Sequence, residues 1–95
     1  MLFMVEMMVN IPLDMSSDVS NDIKAKEKAY SQALQRSGKW AHIWRVVGEY
    51  KNVSIFDVES NEELHALLSG LPLFPYMEMS VTALCTHPSA ITSSS

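Results

Sequence analysis

Between Ser17 and Ser37 the apolar residues recur with helical spacing. At about 100° per residue, Val19, Ile23, Tyr30 and Leu34 fall on one stripe. The Ser16–Ser17 region offers an N-cap and Gly38 a stop. Glu27 interrupts the stripe, four residues after Ile23 and three before Tyr30, while Lys24, Lys28 and Arg36 are expected on the opposite side. A carboxylate on a core-facing stripe is costly unless paired or protonated, and burial raises its pKa toward the range useful for proton transfer. The competing reading is an ion pair, with Lys24 or with a partner on a sheet.

The remaining segments alternate with a different period. Residues 2–10 are apolar and strand-like, ended by the Pro12 loop; residues 40–48 (WAHIWRVVG) and 52–59 (NVSIFDVE) are rich in aromatic and β-branched residues. A turn near 49–51 joins the last two into an antiparallel hairpin. Ser60 and Glu63 form an S-x-x-E capping box for a second helix over 61–69, with Leu64, Leu67 and Leu68 on one side and Gly70 as its C-terminal cap. A fourth strand spans 76–84, and residues 91–95 are expected to be a loose tail.

The order βαββαβ is the ferredoxin-like pattern of an α+β fold, with four antiparallel strands and both helices on one face. The bare face then calls for a second copy of the sheet, so a homo-oligomer is expected. At 95 residues one domain is expected, and so short a chain gains stability from assembly. A net charge of −4 without a basic run argues against nucleic acid. Cys85 is the only cysteine, which precludes an internal disulfide and fits a reducing cytoplasm. No His/Cys cluster has metal-ligand spacing. The apolar start MLFMVEMMV lacks a basic leader, is interrupted by Glu6, and is too short to span a membrane.

The runs W-R-x-x-G-x-Y (44–50), FDV-x-S (56–60), LPLFPYM (71–77) and C-x-HPS (85–89), with the opening MLF-x-V-x-M-x-VN-x-P, resemble the muconolactone isomerase family over about residues 1–90. The resemblance implies a single domain over 1–90 and sheets paired into dimeric α+β barrels, assembled as cytoplasmic decamers. It implies an isomerase of the β-ketoadipate pathway of catechol degradation, turning muconolactone into 3-oxoadipate enol-lactone without cofactor or metal. Family members often carry His at the place of Met4 and a basic residue at the place of Glu6. If these positions line the pocket, substrate choice shifts, for which chloromuconolactone dehalogenase offers a precedent. A non-catalytic ferredoxin-like ligand-binding module is the alternative from another class.

The implied reaction takes a proton from one carbon and delivers one two atoms away, work for a single shielded base near neutral pKa. Glu27 suits it. The enolate needs donors, and Tyr50, Asn52 and Ser54 alternate onto one face of their strand; turn chemistry for Asn52 and cross-strand pairing for Ser54 are the plainer roles. Arg45 suits a clamp on the substrate's free carboxylate, or else a salt bridge with Asp57. Trp40 and Trp44, expected on one strand face with His42, would make an apolar wall or serve as core. His65 sits at the flank of the second helix, where it reaches the sheet as a substrate-binding residue or else faces solvent. His42 and His87 are read as structural and Cys85 as a small buried residue.

Overall fold

The computed structural model describes residues 1–91, so the expected tail lies outside the described residues except for Ile91. The chain runs β1 (Leu2–Val9), α1 (Ser17–Ser37), β2 (Trp40–Arg45), β3 (Lys51–Asp57), α2 (Asn61–Ser69) and β4 (Met77–Leu84), with a three-residue 3-10 helix at Phe74–Tyr76 before β4. The strands form one antiparallel sheet in the order β2-β3-β1-β4. This is the expected α+β arrangement.

Helix boundaries follow from local chemistry. Ser16 Oγ accepts from the Val19 amide at 3.2 Å, and Gly38 closes α1 at φ 84°, where a side chain would be strained. Ser60 Oγ accepts from the Glu63 amide at 3.1 Å, while Glu63 Oε1 accepts from Glu59 rather than from the cap residue itself. Gly70 caps α2 as expected, though in right-handed geometry, and its value is space: a Cβ there would meet the Tyr30 hydroxyl at 2.6 Å. That hydroxyl donates to the Leu67 carbonyl at 2.7 Å, tying α1 to the last turn of α2.

One residue decides the faces of the hairpin. Trp40 pairs with Phe56 but His42 pairs with Ile55, so β2 carries a bulge around Ala41. Beyond it the alternation is inverted. Trp40, Ile43 and Arg45 lie on the helix side with Phe56, Ser54 and Asn52, whereas His42 and Trp44 lie on the other side with Ile55 and Val53. The expected shared face of Trp40, His42 and Trp44 is therefore corrected by a bulge that no turn residue announces. β2 also ends at Arg45, sooner than the pattern suggested, because Gly48 at φ 81° bends the chain and the Val46 amide donates to Lys51 O.

The core lies between the helices and this inner face. Phe3, Val5 and Met7 alternate inward from β1 and pack with Trp40, Phe56, Leu64, Leu68 and Leu71, with Tyr30 and Leu34 at the margin. Val19 is half exposed despite its place on the stripe. A 21-residue helix is about 31 Å long, longer than the strands of at most eight residues (about 27 Å), so its first turn projects past the sheet.

Candidate active site

Between α1 and the end of the sheet formed by β2, β3 and the start of β4 lies a cavity of about 330 Å³. Glu27 is on its wall, half-buried, with Oε1 accepting from the Leu73 amide at 3.0 Å. Burial pushes the Glu27 carboxyl above the usual carboxylate range, and the Leu73 amide offsets this only in part. Burial of Tyr30, and after it the negative charge of Glu27, raise the Tyr30 phenol in turn. Among the described residues no cation sits at ion-pair distance from Glu27, so the ion pair with Lys24 does not form.

Asn52 reaches the same cavity from β3. Its Oδ1 accepts from Ser54 Oγ at 2.8 Å, which fixes the amide orientation, and its Nδ2 has only a long 3.6 Å contact with Met7 Sδ. Ser54 is fully buried and does not reach the cavity; it acts on Asn52. Tyr50 lines the cavity from the turn, not from the strand, because β3 begins one residue later.

Arg45 faces the cavity because of the bulge. The salt bridge with Asp57 is excluded by geometry: Asp57 is on the outer face, 3.6 Å from the chain's amino terminus. The guanidinium instead has a marginal 3.5 Å contact with Glu49 O and lies 5.1 Å from the Tyr50 ring centroid. Trp40 lines the cavity too, packed on Phe56 with centroids 4.7 Å apart, and its buried Nε1 has no acceptor among the described residues.

Two expected site residues lie elsewhere. Trp44 is on the outer face, 55% exposed and stacked on His42 at 5.2 Å. His65 borders a separate groove with Phe3, Leu68 and Val81, because its helix position points to the β4 side. Met4 and Glu6 also face outward, away from Glu27, and Glu6 pairs with Lys51 at 3.4 Å. The condition under which they would alter a pocket at Glu27 is thus not met. Cys85 is exposed, not buried, since it follows the end of β4, and His87 Nδ1 accepts from Ser89 N.

Sequence reasoning missed Lys24, Lys28, Ser31 and Leu73 on the cavity wall. Ser31 was findable, being four residues beyond Glu27 on the same helix face. Lys24 and Lys28 were assigned to the opposite side, yet they flank Glu27 closely enough for long side chains to bend round to the cavity. Leu73 had no local signal. Among the described residues no three His, Cys, Asp or Glu side chains cluster as a metal site, and no helix is long and apolar enough to cross a membrane.

Fold and cavity together define a small α+β protein in which a carboxyl raised by burial, without an ion-pair partner among the described residues, shares a small half-enclosed cavity with an amide and a guanidinium. Residues 1–90 match the family model described as muconolactone delta-isomerase. The chain is 70% identical over 91 residues to Muconolactone Delta-isomerase 1 of Acinetobacter lwoffii, spanning 96% of this chain and 95% of that protein. It is 63% identical to the Muconolactone Delta-isomerase of Cupriavidus pinatubonensis, spanning 96% and 99%. A crystal structure of muconolactone isomerase superposes with a TM-score of 0.94 at 53% identity, covering 98% of this chain and 97% of that one. The chain belongs to the muconolactone delta-isomerase family.

Proposed function

We propose that this protein is an isomerase converting muconolactone to 3-oxoadipate enol-lactone, with Glu27 as the single acid/base. The observation that supports this most is the half-buried Glu27 carboxyl, raised by burial and held by the Leu73 amide on the cavity wall. Glu27 takes the proton from the ring carbon bearing the acetate arm. The C–H electron pair moves through the ring double bond onto the lactone carbonyl oxygen, giving a dienolate. The same carboxyl then returns a proton to the carbon next to the carbonyl, so the double bond moves and no atom is gained or lost.

The dienolate oxygen requires donors that are in place before charge develops. The Asn52 amide, oriented by Ser54, and the Tyr50 hydroxyl take this role. Arg45, without a carboxylate partner among the described residues, binds the acetate arm. Trp40 contributes the apolar wall that keeps water from the dienolate. Trp44 and His65, away from the cavity, have no part in it.

The outer face carries Leu2, Met4, Val53, Ile55 and the half-exposed Trp44, an apolar surface suited to pairing with a second sheet. The proposal therefore includes dimers paired through this face, assembled into decamers in the cytoplasm as the family resemblance implies. Turnover is tested by mixing the protein with muconolactone and following the enol-lactone by ultraviolet absorbance. Absence of product under conditions where the fold is intact overturns the assignment, and a monomer by light scattering overturns the pairing.

A further inference from the structure

The lysines of this chain divide into two groups. Lys26 pairs with Asp22 at 3.0 Å, Lys39 with Glu63 at 2.6 Å, and Lys51 with Glu6 at 3.4 Å. Lys24 and Lys28 have no such partner among the described residues, and both line the cavity, as does Arg45. In a chain of net charge −4, three of the four lysine and arginine side chains left without carboxylates among the described residues thus gather at one place, Arg36 being the exception, and the only acidic side chain among the lining residues is Glu27. Lys24 Nζ lies 5.9 Å from the Tyr50 ring centroid and Arg45 Cζ 5.1 Å from it, the first reaching over from α1 and the second from β2. An aromatic face attracts each cation but does not neutralise it, and the two cations still repel one another.

We infer that Lys24 is a second ligand for the substrate's carboxylate, closing with Arg45 around the arm from the helix side and making the site select the free acid over neutral lactones. This rests on the isomerase reading above and deepens it, since there Arg45 alone was assigned to the acetate. An anion between the two cations relieves their repulsion and gains charge-assisted hydrogen bonds from both. It also draws α1, which carries Glu27, toward the hairpin that carries Tyr50 and Asn52. The carboxylate arm thereby helps set the distance between base and oxyanion donors. Lys28, one turn further along α1, adds to the positive field that attracts the acid.

The test is calorimetric binding of the saturated, unreactive lactone acid and of its methyl ester to wild type, Lys24→Met and Lys26→Met. Both variants lose one charge, but Lys26 is paired with Asp22 and does not line the cavity. Lys24→Met is expected to weaken the acid about tenfold and the ester less than about twofold, with Lys26→Met changing neither by more than about twofold. Equal weakening of acid and ester by Lys24→Met marks a structural role and overturns the inference, as does equal weakening of the acid by both variants, or no change at all. Because the ligand does not react, the result stands apart from turnover; a wild type that binds the acid through Lys24 yet leaves muconolactone unchanged overturns the isomerase reading alone.

Discussion

Glu27 Oε1 and the Leu73 amide are joined by a 3.0 Å hydrogen bond across 46 residues of sequence. One oxygen of the carboxyl is thereby held while the other stays available on the cavity wall. Glutamine preserves that acceptor and removes only the proton chemistry. Glu27→Gln is expected to lower kcat by about a thousandfold or more with the far-ultraviolet spectrum and oligomer size unchanged. Near-normal turnover in the variant removes Glu27 from the mechanism.

The direction of the Glu27 pKa gives two pH signatures. The base must be ionised, so the acid limb of kcat/KM is expected to have its midpoint above the ordinary glutamate value of about 4.3. Stability moves the other way. A raised native pKa means the folded state holds this proton more tightly than the unfolded chain, so the stabilising effect is fully present below about pH 4.3 and is lost as pH rises through the native value. Wild type and Glu27→Gln should therefore unfold at similar urea concentrations near pH 3.5, with the variant more resistant at about pH 7. A gap of the same size at both pH values contradicts this account.

Ser54 acts through Asn52. Ser54→Ala frees the Asn52 amide to rotate and is expected to lower kcat by about tenfold with little change in KM, while Asn52→Ala, which removes the donor itself, costs about a hundredfold. If Ser54→Ala lowers stability but leaves kcat unchanged, the hydrogen bond is structural only.

Trp40 Nε1 is a buried donor without an acceptor among the described residues, whereas its ring is packed on Phe56. Trp40→Phe keeps an aromatic ring at that position and discards the unsatisfied group, so a thermal midpoint within a few degrees of wild type is expected in place of the loss of about 3–5 kcal/mol usual for truncating a buried Trp to Ala. A large drop on Trp40→Phe indicates that packing of the full indole outweighs its orphaned N–H.

Gly70→Ala is expected to cost about 1–3 kcal/mol by urea unfolding, since the new methyl meets the Tyr30 hydroxyl. Tyr30→Phe removes the clashing oxygen, so the double variant should lose less than the sum of the two single losses. Strict additivity means the clash is absorbed elsewhere.

The elements were legible because their signals are local. The bounds of α1 follow from its period, from Ser16 and from Gly38, and Glu27 stood out because it broke that period. The bonds that give the site its shape are between distant residues. Neither the Leu73 amide on Glu27 nor the crowding of Gly70 by Tyr30 leaves a mark within a window of sequence, because each depends on how α1 lies across the rest of the fold. Lys24 stands three residues before Glu27, about 60° round the helix, so it flanks the carboxylate and does not oppose it, while Lys28, about 100° away, needs the length of its side chain to reach the cavity.

The extra residue in β2 has a wider meaning. A strand ordinarily assigns every second side chain to one side, so a sheet with a reactive side and an assembling side must divide its residues by strict parity. The bulge around Ala41 resets that parity within a single strand, giving Trp40 and Arg45 to the cavity side and His42 and Trp44 to the outer face. Were Ala41 instead to pair as an ordinary strand position, the residues beyond it would exchange sides, turning the arginine out of the pocket and the second tryptophan into it, without any change of sequence.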